Sequence, residues 1–151
     1  MTDGARRPDA GRRARSLARR LVLQALYQLQ LNDIAWTDIL KQFLADPEAD
    51  RVDQDYFRAL LAGIAGSRDA LDVQLAGYSE IPPPELDPIE HALLWLGVYE
   101  LQHSPELPFR VVLAEAVQLA KQFGATDGHK FVNAVLDRAA RELRSLEYGA
   151  R

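Results

Sequence analysis

The sequence predicts an all-α fold of about six or seven short helices. Apolar residues recur with a helical period along nearly the whole chain, and no alternation typical of a half-buried strand is sustained. Three consecutive prolines at 82–84 cannot donate backbone hydrogen bonds, which predicts a stiff connector. We therefore expect four segments: a disordered basic arm at 1–11, a helical subdomain at 12–80, a connector at 81–86 and a second helical subdomain at 87–148.

Length and composition limit the class of protein. The chain has 151 residues, 48% of them hydrophobic, enough for one domain or for two small subdomains that share a core. It has no cysteine, which excludes disulfides and thiolate metal sites and fits a cytoplasmic location. No apolar run approaches the roughly 20 residues that span a bilayer. Because it has three histidines and no cysteine, few groups are available for catalysis. We expect a protein that is not an enzyme and needs no cofactor or metal.

Charge is distributed unevenly along the chain. The formal net charge is −4, yet the first 20 residues hold seven arginines against two aspartates. Of the 18 basic and 22 acidic side chains in the whole chain, 11 basic and 20 acidic ones remain for the other residues. A basic arm on an acidic body can bind phosphate groups while the body repels them elsewhere. A tail that only keeps the protein in solution would have the same charge pattern.

A helix with separate apolar and basic faces is predicted from about Arg12 onwards. Its apolar side chains recur with a 3.6-residue period and mark the face that we expect to be buried: Ala18, Val22, Ala25, Leu26 and Leu29. Two other rows carry the arginines, one with Arg12, Arg15 and Arg19, the other with Arg13, Arg20, Gln24 and Tyr27. We expect both rows to face solvent, where arginines can contact phosphates and a tyrosine can stack on a base.

Further helices are predicted around 36–45, within 52–77 as two helices or one kinked helix, at 109–123, and at the C-terminal end of the chain. The helix after Asp87 has a good start signal, because Asp87, Pro88 and Glu90 have the spacing of a capping box with proline at the first helical position. Its residues 91–101 are apolar on most sides, so we expect neighbouring helices to surround it.

The stretch 108–139 is the most informative about function. A helix, a glycine-bearing turn and a second helix follow one another, and either Thr126 or Asp127 is expected to cap the second helix. This helix opens on Lys130 and Phe131. A basic residue beside an exposed aromatic ring is typical of nucleic-acid contacts, so the stretch favours an RNA-binding adaptor.

Five strings, in this order, resemble the NusB family of transcription antitermination factors: ALY at 25–27, YFRALLAGIA at 56–65, LLWLGVYEL at 93–101, EAVQLAKQFG at 115–124 and HKFVNAVLD at 129–137. The likeness extends from about Arg12 to Leu143 and is specific, because these strings do not recur together in unrelated helical proteins. It implies two helical subdomains packed roughly perpendicular to each other. It also implies binding of the boxA element of ribosomal RNA leader transcripts together with NusE, a small-subunit ribosomal protein. With other Nus factors, the pair keeps RNA polymerase processive.

The resemblance also implies which residues bind RNA. The family's arginine-rich helix start falls on Arg12, Arg13, Arg15 and Arg19, its tyrosine on Tyr27, and its second RNA-facing cluster on Asp127, Lys130 and Phe131. Phe131 is one residue from an apolar row, so it is either exposed or part of the core. By position, Glu90 is either a contact to NusE or an intramolecular cap.

The chain departs from the family pattern at three positions. Ala114 stands where the family often has asparagine, Trp95 where it often has arginine, and Ala134 where it often has glycine. We interpret the two alanines as conservative packing changes. Trp95 is bulkier and suggests either different packing or a different exposed surface on the central helix.

Two other functions fit the sequence. The first is an oligomeric structural or protein-interaction module without specific RNA binding, in which the apolar helix 91–101 includes a dimer face. The second is the NusB-like domain that is attached to ribosomal RNA methyltransferases, but this chain has no cofactor-binding α/β domain. We favour the antitermination factor and expect a monomer or a homodimer.

Overall fold

The computed structural model describes residues 8–149, and this part of the chain is helical with no β-strand. It contains eight α-helices: α1 (Pro8–Leu31), α2 (Trp36–Leu44), α3 (Gln54–Ala65), α4 (Arg68–Ala76), α5 (Pro88–His103), α6 (Phe109–Phe123), α7 (Gly128–Leu143) and α8 (Ser145–Gly149). Two 3-10 turns, Pro47–Arg51 and Pro83–Glu85, lie between helices. The prediction of an all-α fold is confirmed. None of these helices has both the length and the apolar character needed to cross a membrane.

The first helix begins earlier than the sequence predicted. α1 starts at Pro8, so residues 8–11 are helical where we expected disorder. Proline suits the first turn of a helix, because its φ is already helical and its missing N–H would have had no intrahelical partner there. The rest of the predicted arm, residues 1–7, lies outside the described residues.

The N-terminal unit, which ends at Ala65, is built from α1, α2 and α3 packed against one another. All five apolar positions predicted on α1 are buried, with at most 8% of each residue exposed. α2 contributes Ile39 to this core and α3 contributes Phe57, whose ring centroid lies 6.0 Å from that of Phe43. Each large side chain buried in this way contributes about 1.5–3 kcal/mol. Packing therefore stabilises these helices more than their intrinsic helix propensity does.

The C-terminal unit is built around α5, which packs against α4, α6 and α7. Every residue from His91 to Val98 is buried, which confirms the prediction that neighbouring helices surround this segment. Gly97 marks a close approach of α5 to α7. A Cβ atom at this position would lie 2.6 Å from two carbon atoms of the Leu136 side chain, well inside van der Waals contact.

The two units divide between Ala65 and Gly66, whereas we expected the proline segment 81–86 to separate them. The reason lies in the packing of α4, which contacts both α5 and the 3-10 turn Pro83–Glu85. Pro83 is buried in that turn. The segment is thus part of the C-terminal unit, and the stretch 52–77 forms two helices that belong to different units.

Arg144, just after α7, fixes the connection between α5 and α6. Its guanidinium donates hydrogen bonds to the backbone carbonyls of Leu101, Ser104 and Leu107 at 2.8–2.9 Å, and to Glu147 Oε1 at 2.7 Å. The other oxygen of Glu147 accepts the first backbone N–H of α6 at 2.8 Å. These bonds satisfy backbone groups that helix ends leave without intrahelical partners, and they fasten α8 to the rest of the unit.

Candidate nucleic-acid interface

The predicted RNA-binding arginines of α1 differ in their exposure. Arg12 and Arg13 are exposed, the Arg15 side chain is 40% exposed, and Arg19 is 2% exposed. The decrease follows the row along the helix towards the region where α1 packs on α3. Arg12 and Arg13 at the start of α1 therefore face solvent, whereas Arg19, in the same row as Arg12 and Arg15, lies against protein.

Two residues of the N-terminal unit that the sequence analysis did not single out hold Arg15. The Nε atom of Arg15 lies 3.8 Å from Asp53 Oδ2, and its guanidinium carbon lies 5.0 Å from the centroid of the Tyr56 ring. Asp53 also caps α3, because its Oδ1 accepts the backbone N–H of Tyr56 at 3.0 Å. A capping aspartate can be recognised from sequence, but its arginine partner is far along the chain and becomes a neighbour only in the folded unit.

Arg19 does not have the surface position that we expected. It is buried, and its guanidinium carbon lies 5.4 Å from the centroid of the same Tyr56 ring. A buried guanidinium needs partners inside the protein, and a tyrosine ring face is one that attracts cations. Arg19 therefore helps to hold α1 against α3, and it leaves the set of residues that can contact a phosphate directly.

Tyr27 is on the surface of α1, with 38% of the residue exposed. It stands seven residues after Arg20 and fourteen after Arg13, so these residues lie on nearly the same side of the helix. An exposed ring in line with arginines has the arrangement needed to stack an unpaired base beside neutralised phosphates.

The second predicted cluster lies at the start of α7, in the C-terminal unit. Asp127 has a φ of 67°, in the left-handed region, and its side chain does not cap the helix. Its Oδ1 lies 3.3 Å from Lys130 Nζ, and the two side chains are 66% and 72% exposed. Asp127 occupies the N-cap position of α7, as one of the two predicted alternatives, but its side chain makes no capping hydrogen bond. This carboxylate instead pairs with the lysine that we expect to contact RNA.

Phe131 is half-buried and so matches neither of the two alternatives that the sequence left open. Its neighbour Val132 starts the apolar row of α7, which is buried through Val135, Leu136 and Ala139. The Phe131 residue is thus partly covered by protein and partly open to solvent. A partly anchored ring loses little rotamer freedom when a base stacks on it.

Glu90 lies against the start of α7. A Cβ atom on Gly128 would collide with the Glu90 carboxylate, so the glycine makes room for this side chain. Burial, and secondly the charge of Asp87, raises the pKa of the Glu90 carboxyl above its usual value. The aspartate itself accepts the backbone N–H of Ile89 at 3.4 Å. Glu90 thus has an intramolecular contact with Gly128, the residue that follows Asp127 in the sequence.

The three departures from the family pattern have different surroundings. Trp95 is 3% exposed, and its Nε1 donates to Asp72 Oδ1 at 2.8 Å, while His91 Nε2 lies 2.6 Å from the same oxygen. Trp95 therefore ties α5 to α4 and does not form an exposed surface. Ala114 and Ala134 are both exposed, so our interpretation of them as packing changes is wrong. Relative to the family pattern, Ala114 shortens a side chain on the surface of α6, whereas Ala134 adds a methyl group to the surface of α7.

The two clusters belong to different units, and each is built by contacts within its own unit. Among residues 8–149, no group of three or more histidine, aspartate or glutamate side chains is arranged to hold a metal ion. The guanidinium, ammonium and aromatic groups of the two clusters suit anionic and stacking ligands.

Known proteins resemble this chain in sequence and in fold. The model of the NusB family matches residues 16–141, which is most of the chain. The chain belongs to the NusB family. Transcription antitermination protein NusB of Methylobacillus flagellatus is 47% identical over 141 residues, covering 93% of this chain and 91% of the relative. Its namesake from Alcanivorax borkumensis is 48% identical over 138 residues, covering 91% and 92%. A solved structure of T. maritima NusB, 28% identical, matches with a TM-score of 0.78 over 89% of this chain and 96% of that one.

Proposed function

We propose that this NusB-family chain is a transcription antitermination factor that binds boxA RNA of ribosomal RNA leader transcripts together with NusE. In this function the pair joins other Nus factors and keeps RNA polymerase processive. The relatives that cover more than 90% of this chain at 47–48% identity bear the name transcription antitermination protein. Their names support the general function, and the surface of α1 supports RNA as the ligand.

The observation that carries the proposal is the exposed basic start of α1. Arg12 and Arg13 face solvent, Arg15 is part-exposed, and Tyr27 presents its ring about three to four turns further along. Guanidinium groups bind phosphates through paired hydrogen bonds, and single-stranded RNA is usually held by stacking of its bases on aromatic rings. Lys130 and Phe131 offer the same two chemistries on α7, with Asp127 close enough to weaken the lysine's hold on phosphate.

The alternative of an oligomeric structural module has lost its main support. It rested on the apolar helix 91–101, which was to provide a dimer face. That segment is covered within the chain itself, since the residues from His91 to Val98 are all buried. Glu90, proposed as a contact to NusE, remains a candidate because it is only half-buried.

A binding experiment tests the proposal directly. The fluorescence anisotropy of a labelled boxA RNA would be measured against the protein, with and without NusE, beside a scrambled RNA of equal length. We expect preferential binding of boxA RNA that NusE strengthens. Equal, weak binding to both RNAs would reduce the α1 arginines to a generic basic surface and contradict the proposed function.

Salt dependence tests the arginines one by one. Each phosphate contact to single-stranded RNA contributes roughly 0.7 to the slope of log K against log salt. We expect Arg12→Ala, Arg13→Ala and Arg15→Ala each to lower the slope by about this amount. Arg58→Ala is the matched control, because Arg58 is also an exposed arginine of the N-terminal unit but lies on α3. A slope that all four variants leave unchanged would place α1 outside the interface.

Aromatic stacking requires a separate test. We expect Tyr27→Ala and Phe131→Ala each to weaken boxA binding by about 1–3 kcal/mol if a base stacks on the ring. Because Phe131 is half-buried, circular dichroism must show an intact fold before its binding loss is interpreted. Leucine at either position keeps apolar volume without a π face and should recover stability but not affinity.

A further inference from the structure

A groove in the N-terminal unit lies between α1 and the 3-10 turn Pro47–Arg51. Its volume is about 220 Å³, and its apolar lining comes from Leu17, Leu21 and Val52. Arg20, Gln24, Glu48 and Arg51 provide the polar lining. A second depression shares Leu21, Gln24 and Glu48 with it and continues the groove to Phe43. None of these residues belongs to the set through which we propose that the protein binds RNA.

The charged groups of this groove favour an anion. Two arginines and one glutamate line the part of the groove that holds Leu17 and Val52, a net charge of +1, although the chain as a whole is acidic. Asp46 lines only the continuation towards Phe43. Both Arg20 and Arg51 are exposed, so their guanidinium groups can reach a ligand at the mouth of the groove. Arg51 lies far from the basic start of the chain in sequence. Its presence here extends the basic surface from α1 to a second element.

The position of the groove connects it to the arginine row of α1. Arg13, Arg20 and Tyr27 are spaced by seven residues, and Gln24 lies four residues after Arg20. These side chains therefore lie on neighbouring positions of one side of the helix. A phosphate backbone that follows the row from Arg13 towards Tyr27 would pass the mouth of the groove.

The remaining lining residues suit a nucleobase. Apolar side chains can cover the face of an unstacked base, and an amide beside a carboxylate offers both donors and acceptors to its edge. Gln24 and Glu48 are such a pair, and both belong to the shared middle of the groove. A simple phosphate site would not need this apolar and mixed polar lining.

We infer that this groove accepts one unpaired nucleotide of the RNA. Its base contacts Leu17, Leu21 and Val52, Gln24 and Glu48 bind its edge, and Arg20 and Arg51 hold the adjoining phosphates. The inference rests on the proposed function, because it assumes that α1 binds RNA. It adds a base-recognition site to a surface that otherwise offers phosphate contacts and stacking.

Abasic scanning of the RNA tests the site. Each nucleotide of boxA RNA is replaced in turn by an abasic residue, and affinities are measured for the natural chain, for Gln24→Ala and for Arg51→Ala, with Arg58→Ala as control. We expect one position at which base removal weakens binding roughly tenfold to the natural chain, the size of one base–protein contact. At that position Gln24→Ala should reduce the effect of base removal to less than about twofold, whereas Arg58→Ala should leave it unchanged. If Gln24→Ala shows the same loss of affinity as the natural chain at every abasic position, the groove does not bind a base. A preference for boxA RNA, and thus the proposed function, would remain intact.

A titration with small probes separates the groove from boxA recognition altogether. Uridine 5′-monophosphate and adenosine 5′-monophosphate are added, in separate titrations, to the full chain while the side-chain amide signal of Gln24 is followed by NMR. We expect a saturable shift that is lost in Arg51→Ala, even if boxA RNA shows no preference over a scrambled RNA. A shift of equal size with ribose 5-phosphate would mean that the site holds an anion without a base, and no shift with either nucleotide would mean that it holds none. Both results contradict the inference.

Discussion

Replacing Asp53 by asparagine should make the protein bind RNA more tightly. Asp53 Oδ2 lies 3.8 Å from Arg15 Nε and therefore competes with any phosphate for this guanidinium. Asparagine removes the charge but keeps a side-chain oxygen that can accept the backbone N–H of Tyr56, now bonded to Asp53 at 3.0 Å. Because asparagine caps helices about as well as aspartate, α3 should keep its start.

The size of the effect follows from the exposure of the pair. The two side chains are 40% and 35% exposed, so solvent screening limits their interaction to the range of surface ion pairs, about 0.2–1 kcal/mol. If binding RNA breaks this pair, Asp53→Asn should raise the affinity by roughly 1.4- to 5-fold. The free energy of unfolding should fall by no more than about 1 kcal/mol.

The assay is the anisotropy titration with boxA RNA, and Asp55→Asn is the control. Asp55→Asn removes the same charge two residues away. The Asp55 side chain is fully exposed, and its Oδ1 lies 3.9 Å from Arg58 Nη1. Both variants gain RNA affinity from the loss of one negative charge. The difference between their affinities therefore measures the release of Arg15. Equal affinities for the two variants would refute competition by Asp53. A lower affinity for Asp53→Asn would show that the carboxylate positions Arg15 for binding.

Three further changes test the C-terminal unit. Arg144→Ala removes three hydrogen bonds to backbone carbonyls and should lower the free energy of unfolding, measured by urea titration, by on the order of 3 kcal/mol. Arg141→Ala, at an exposed position, is the control and should change this free energy by less than about 1 kcal/mol. Glu90→Gln should stabilise the protein at neutral pH, because the raised pKa of Glu90 means that its ionisation opposes folding. The gain in the free energy of unfolding should vanish below pH 4.5, the usual pKa of this carboxyl group. A gain that does not depend on pH would contradict this cause. Gly97→Ala should destabilise the fold by about 1–3 kcal/mol, since the added methyl collides with Leu136, and a more stable variant would show that this leucine moves aside freely.

The helices were predictable because their signals are local. The apolar stripe of α1 has a 3.6-residue period, and the five residues that carry it are all buried. The segment 91–101 lacks a polar face, and burial on every side is the arrangement that this composition requires. The division between the units was not predictable from its strongest local signal. Prolines stiffen a chain, but they do not determine which helix packs on which, and α4 packs on α5.

The candidate site shows the same limit. Spacing alone placed Arg12, Arg15 and Arg19 on one face of a helix, yet α3 covers the far end of that face and buries Arg19. The spacing of Asp87 and Glu90 suggested a local capping box, whereas the Glu90 carboxylate lies against Gly128 of α7. In each case a residue distant in sequence takes the side chain that a local rule had assigned elsewhere. Helix periodicity tells which residues share a face but not how much of that face another element covers.

The left-handed backbone at Asp127 restricts how this part of the surface can diverge among sequences. With a φ of 67°, the position disfavours β-branched and bulky residues, whereas glycine, asparagine and aspartate adopt this conformation at little cost. Among glycine, asparagine and aspartate, only aspartate carries a charge. The carboxylate that pairs with Lys130 can be gained or lost in one step, but it cannot be replaced by a glutamate or a lysine without straining the turn into α7.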